Sequence, residues 1–216
     1  MNIPKISSEL AEETGLHIGD GTMNYYKNGR KICGSYALRG HIIDDKKHYN
    51  FRIKQLYKEL YGLDISLREM PSTGCYGFQK WSNDLVNFKH RVLNLPLGKK
   101  LNIIVPEQFK YKFSEDLIRG LFDTDGTLYL ENKNKKLYPR IIICDISLKL
   151  ISQISKLINN SGIRSTFYIS RREQKNWNDL GVVEVRGREM VEKWFKIIRP
   201  SNPKFWDKYQ FYLDSS

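Results

Sequence analysis

Ile118-Arg119-Gly120-Leu121-Phe122-Asp123-Thr124-Asp125-Gly126-Thr127 decides the reading of this chain, because its pattern occurs twice. The other copy is Glu13-Thr14-Gly15-Leu16-His17-Ile18-Gly19-Asp20-Gly21-Thr22. Gly-Leu, Asp-Gly and the following Thr coincide at an offset of 105 residues in a chain of 216. A repeat at half the chain length marks a duplicated structural unit. Serine and acidic residues precede each copy (Ser8-Glu9 and Ser114-Glu115-Asp116), as at a helix N-terminus. Glycine inside a helix costs about 1 kcal/mol relative to alanine, so Gly15, Gly19 and Gly120 need a reason. Small residues four apart leave a bare strip along which a second helix can approach closely. Gly15 and Gly19 form one such strip, Gly120 and Thr124 its partner. Helices crossing there would bring their last residues, Asp20 and Asp125, side by side.

Two adjacent carboxylates resist joint ionisation unless a cation lies between them. A divalent ion there would polarise a phosphoryl oxygen and activate water, which is what phosphodiester hydrolysis requires. A single Asp-Gly would read only as a helix stop and hairpin turn; two in register favour the paired-acid reading.

Working outward, each copy is followed by two extended stretches, an amphipathic helix, two further strands and a closing helix. In the first half these are the Tyr-rich stretch after Gly21 and Ile32–Leu38, then Lys47–Tyr61, Asp64–Met70, Gly74–Trp81 and Asn83–Val92. In the second they are Thr127–Glu131 and Tyr138–Ile146, then Ser147–Asn160, Arg164–Arg171, Gly181–Arg186 and Arg188–Ile198. Leu148, Ile151, Ile154, Leu157 and Ile158 share one face of the second amphipathic helix. The pattern predicts an α+β fold of two pseudo-symmetric αββαββα halves, residues 1–94 and 114–216. Residues 95–113, with Pro96, Gly98 and Pro106, form a linker. A short extra helix is expected over Asn202–Leu213.

The chemistry is bounded by composition. With 40% hydrophobic and 28% charged residues the chain reads as globular. No stretch reads as a membrane helix, and the first residues lack the apolar core of a signal peptide, so an intracellular location is expected, in cytoplasm, nucleoid or an organelle. Cys33, Cys75 and Cys144 fit no zinc or disulfide spacing, and the four histidines form no HxxxH pair. A metal would then rest on carboxylates, which suits a hard ion such as Mg²⁺. A net charge of +12, spread among tyrosine, tryptophan and phenylalanine, points to a polyanionic partner.

On these residues the chain resembles the LAGLIDADG homing endonucleases in their monomeric, two-motif form, of the kind encoded in archaeal introns. Gly120–Gly126 is a close match to the family motif and Gly15–Gly21 a looser one. The resemblance extends to Leu95-Pro96-Leu97-Gly98-Lys99-Lys100 and Ser201-Asn202-Pro203. It implies two curved four-stranded antiparallel sheets forming a DNA-binding saddle, with the motif helices packed at its centre. It implies a site-specific double-strand endonuclease with a long, asymmetric target, and as alternatives an RNA maturase bound to intron RNA or a non-catalytic DNA-binding regulator. Mg²⁺ would be held by Asp20 and Asp125, helped by the carbonyls of Gly19 and Thr124, with Mn²⁺ or Ca²⁺ able to substitute in binding. Asp123 would take a structural or capping role. Lys80 and Arg186, aligned near the ends of the last strands, would stabilise charge on the phosphate. Base or phosphate contacts are expected from Tyr25, Lys27, Arg30, Arg39, Arg68 and Gln79 in the first half. In the second half Lys133, Lys135, Arg140, Arg164, Tyr168 and Arg171 are the candidates.

Overall fold

The computed structural model describes residues 1–174 and 177–215. Helix α1 (Ser8–Asp20) begins where the Ser7 hydroxyl accepts the Leu10 N–H at 3.2 Å, satisfying one of the donors a helix start leaves bare. Strands β1 (Gly21–Asn28) and β2 (Lys31–His41) form a hairpin. One helical segment follows, α2 (Lys46–His48), a π turn (Tyr49–Ile53) and α3 (Lys54–Tyr61), and it stops at Gly62 in the left-handed conformation, φ 65°. Strands β3 (Arg68–Met70) and β4 (Cys75–Trp81) lead into α4 (Asn83–Asn87), which continues as a π turn (Phe88–Val92).

The second half repeats this order: α5 (Ser114–Asp125), β5 (Gly126–Lys133), β6 (Lys136–Asp145), α6 (Leu148–Asn160), β7 (Thr166–Ser170), β8 (Leu180–Arg186) and α7 (Arg188–Ile197). Helix α8 (Pro203–Asp214) closes the chain. Each half carries a four-stranded antiparallel sheet, in order β1-β2-β4-β3 and β5-β6-β8-β7. The αββαββα order expected twice is therefore the fold. Strand β3 is shorter than expected, Arg68–Met70 instead of Asp64–Met70. In α6 the buried stripe includes Leu150, while Leu148 at the first turn is only half-buried. Among the described residues no helix is long and apolar enough to cross a membrane.

Strand alternation sorts each sheet into two faces. In the first, Met23, Tyr36, Leu38, Tyr76 and Phe78 point to the helices and are buried. In the second, Leu128, Ile141, Ile143, Val183 and Val185 do the same. The opposite faces carry the exposed Tyr26 and Trp81 in one sheet, and Tyr129, Tyr168 and Arg186 in the other. One apolar core joins the halves through α1 and α5, where Leu10, Leu16, Ile18, Leu117, Leu121 and Phe122 are all fully buried. Residues 95–113 are packed and do not hang free: Leu95, Ile103, Val105 and Phe109 belong to that core.

Candidate active site at the helix ends

The two motif helices touch backbone to backbone. A β-carbon added to Gly15 would fall on the Leu117 carbonyl oxygen and stand 2.7 Å from the Leu121 nitrogen. One added to Gly120 would fall on the Glu12 carbonyl oxygen and stand 2.8 Å from the Leu16 nitrogen. Gly19 faces Thr124 in the same way, and its missing β-carbon would lie 3.1 Å from a carboxyl oxygen of Asp125. Both helices end one residue later or at that acid, so Asp20 and Asp125 come together, half-buried, at the shared end.

Their electrostatics follow from this placement. Burial, then the charges of Asp125 and Asp45, push the Asp20 carboxyl up to about 8, with Lys100 and Lys204 pulling the other way. Burial also raises Asp125, to about 6, with Asp145 adding to the rise and Lys100 and Lys204 opposing it. Both carboxyls are thus held above the ordinary carboxylate range, and a cation arriving there would favour their ionised forms.

The basic groups at this centre are Lys100 and Lys204. The Lys100 ammonium donates to the carbonyls of His17, Ile18 and Gly19 at 3.1, 2.6 and 2.5 Å, at the negative end of α1. Lys204 lies in the first turn of α8 and pairs with Asp45 at 2.7 Å. The sequence analysis named neither, although a signal was present: Lys100 follows Asp20 by 80 residues and Lys204 follows Asp125 by 79. The α8 start is fixed by Asp123, whose buried carboxylate accepts the N–H groups of Ser201 at 2.8 Å and Asn202 at 3.2 Å. Burial pushes Asp123 up to about 8, against those two donors. Asp123 thus faces away from Asp20 and holds the turn just before the helix that delivers Lys204.

Two expected catalytic residues are not at the carboxylates. Lys80 pairs with the buried Tyr36, so it shares the helix-side face of the first sheet. Arg186 lies on the open face of the second sheet, but at its outer row, where its guanidinium donates to Glu184 at 2.6 Å. The bases that most influence Asp20 and Asp125 are Lys100 and Lys204 instead.

The expected DNA contacts divide similarly. Arg39, Arg68 and Gln79 lie on the open face of the first sheet, Arg140 and Tyr168 on that of the second. Lys27 and Arg30 lie at the exposed β1–β2 tip, and Lys133 and Lys135 at the β5–β6 tip. Arg164 and Arg171 flank β7 and are exposed. Tyr25 is a correction: it pairs with Gly34 and donates its hydroxyl to Asn87 of α4 at 2.6 Å, which puts it on the helix side. A groove on the first open face, lined by Tyr26, Arg39, Gln79 and Lys99, runs to Lys100.

The donors at the helix ends fit a hard divalent ion. Two carboxylates repel each other there, and the adjoining Gly19 carbonyl already accepts a cationic group. Among the described residues no three His, Cys, Asp or Glu side chains form a ready cage. One or two carboxylates completed by water and a substrate phosphate is the usual coordination of Mg²⁺.

Comparison with known proteins agrees with this architecture. Residues 113–199 match the family model described as a LAGLIDADG-like domain. The chain is 24% identical over 194 residues to a glutamine–fructose-6-phosphate aminotransferase (isomerizing) of Methanocaldococcus jannaschii, covering 88% of this chain but only 16% of that protein. Among solved structures, a mesophilic variant of the homing endonuclease I-DmoI has a TM-score of 0.60 at 18% identity, covering 88% of this chain and 95% of that one. I-DmoI in complex with DNA and Ca gives 0.61 at 18% identity, covering 88% of each chain. The homing endonuclease I-WcaI bound to its DNA recognition sequence gives 0.60 at 13%, covering 93% of this chain and 84% of that one. The chain therefore has, across both halves, the fold of the LAGLIDADG homing endonucleases, and most of its second half matches the model of a LAGLIDADG-like domain.

Proposed function

We propose that this protein is a divalent-metal-dependent, site-specific endonuclease acting on double-stranded DNA as a monomer. The observation that carries the reading is the meeting of Asp20 and Asp125 at the ends of two glycine-lined helices, with Lys100 and Lys204 beside them. Two open sheet faces flank that point, on a chain of net charge +12. Duplex DNA, and not intron RNA, is the partner we assign, since the relatives with this fold are solved on DNA.

In this reading the saddle holds the duplex and sets a phosphate at the helix ends. Asp20 and Asp125, with the Gly19 and Thr124 carbonyls, would hold the ion, Mg²⁺ by the hardness of the donors. Bound there, a divalent ion polarises the phosphoryl oxygen and makes water a better nucleophile. Lys100 and Lys204 lower the cost of charge building on phosphate, one for each strand. The direct test is incubation with a plasmid library carrying a long randomised insert, with Mg²⁺ and with a chelator. Linear product with defined ends, absent with the chelator, is expected; plasmid left intact under both conditions overturns the reading.

The lysine assignment makes a separate prediction. Lys100→Gln lowers the cutting rate by about 10²-fold, with duplex binding retained, whereas Lys80→Ala leaves the rate unchanged. Single-turnover rates decide it, and a slow Lys80 variant beside a normal Lys100 variant would reverse the assignment.

The raised carboxyls also predict a pH effect on stability. The folded value of Asp20, about 8, lies above its ordinary 3.8. Its contribution is thus complete below about pH 4 and is lost as pH rises through about 8. In chelator, Asp20→Asn should melt progressively higher than the wild type across that window. Mg²⁺ at the alkaline end should close the gap by stabilising only the wild type. Calorimetric melts with the same pH profile for both proteins would contradict it.

A further inference from the structure

The 105-residue offset superposes the open faces of β1, β2 and β4 on those of β5, β6 and β8, and strand pairing adds β3 and β7 to the same rows. The row nearest the acids is Arg68, Gly77 and Arg39 in the first half and Tyr168, Val182 and Cys144 in the second. The outer row, four residues further along the strands, is Asn24, Ser35 and Trp81 in the first half and Tyr129, Arg140 and Arg186 in the second. Arginine therefore occupies the inner row of one half and the outer row of the other. Apolar or uncharged side chains fill the reciprocal places.

Of the four arginines in these rows, Arg39 and Arg186 are each held by a neighbour on one edge. A terminal nitrogen of Arg39 donates to the Gln79 carbonyl oxygen at 3.2 Å, and the Gln79 amide in turn donates to Ser35 at 2.9 Å. Arg186 donates to Glu184 at 2.6 Å, while its side chain stays 62% exposed. Glu184 is itself buried, 3% exposed, because Arg140 also donates to it, at 3.3 Å, and bonds Glu131 on its other side. Glu184 and Arg140 are thus scaffold, and the free edge of Arg186 faces outward. A guanidinium fixed along one edge in mid-sheet is prepared for the paired acceptors of a guanine. One at a hairpin tip would meet phosphate instead.

We propose that Arg39 and Arg186 each read a guanine, at different depths in the two half-sites of the target. The Arg39 guanine lies next to the point of cleavage under the first sheet. The Arg186 guanine lies farther out under the second. Four strand residues span about 13 Å, or about four base-pair steps at 3.4 Å each. The inference rests on the DNA-endonuclease reading and adds the chemistry of the bases contacted.

The experiment is selection of bound duplexes from a randomised double-stranded library by the full chain, followed by affinities for single-base variants of the selected site. The wild type is expected to select an inner guanine on one side and an outer guanine on the other. Arg186→Lys keeps the charge but cannot bond in a paired fashion, so it should lose the outer preference by about tenfold or more and keep the inner one. Arg39→Lys should do the reverse. Arg186→Ala, at an exposed position, checks the first result without a replacement charge. Unchanged selection in these variants overturns the proposal. So does uniform weakening on all duplexes with a shallower salt dependence, which would place both side chains on phosphates. A wild type that binds DNA and selects no sequence removes the site-specific reading beneath it as well.

Discussion

Asp20→Asn or Asp125→Asn should leave duplex binding in place and lower strand cutting by about 10³-fold or more. The size follows from the loss of several kcal/mol of transition-state stabilisation at about 1.4 kcal/mol per decade. Each substitution keeps the volume of the acid and removes the charge that would hold the ion. Binding survives because the saddle contacts come from other residues, and the removed negative charge can only favour a polyanion. In the Asp125→Asn variant, Asp20 no longer shares its half-buried site with that like charge, so it ionises more readily than at the value of about 8 that burial and Asp125 impose. Gel-shift affinity measured beside cleavage separates the alternatives. A variant that binds and cuts at the wild-type rate ends the two-acid mechanism, and a wild type that binds one site without ever cutting it would describe a regulator.

Gly120→Ala and Gly15→Ala should be the most damaging small substitutions in the chain. Helix propensity alone predicts that each gains about 1 kcal/mol. Packing predicts the opposite: the new methyl would land on a backbone carbonyl of the other motif helix, Glu12 for one and Leu117 for the other. Backbone cannot rotate aside as a side chain does, so the helices must separate along their length and loosen Leu16, Leu117 and Leu121 with them. A net loss of about 3 kcal/mol would lower the melting temperature by roughly 6 to 12 °C in a chain of this size. Gly19→Ala meets the side chain of Thr124 instead, which can give, so its cost in stability is smaller. Its cost in cutting is larger in proportion, because it displaces Asp125. Thermal melts within about 2 °C of wild type for both Gly15 and Gly120 variants would show that the helices do not pack along this strip.

How much of this was readable in advance depends on whether the signal was periodic. The repeat put Asp20 and Asp125 in register, and its glycines gave a reason for the helices to touch. The strand and helix order followed from apolar spacing. The sequence and the structure point to different auxiliary bases, for a definable cause. Lys80 was matched to Arg186 at an offset of 106, whereas the strands repeat at 105, with Trp81 opposite Arg186. A slip of one residue in a strand turns a side chain to the other face, so Lys80 and Arg186 could never have been equivalents. Lys100 stood in a stretch read as linker, and Lys204 in a helix read as a short extra one. Their near-equal distances from the two aspartates carried the information.

The order of elements, the duplication, the acid pair and the basic character were determined by the amino-acid sequence alone, because each is a matter of spacing or count along one chain. Contacts between distant segments were decided only by the tertiary structure. Glu13 meets Lys89 at 2.6 Å within a shell of Tyr36, Tyr57 and Tyr61, whereas the repeat places Ile118 and Trp194 at the matching positions of the second half. Asp123 reaches across 78 residues to Ser201 and so sets α8 and Lys204 beside the acids. Burial of a charge is stable only when its partner arrives in the folded chain, and no local pattern records which partner that will be.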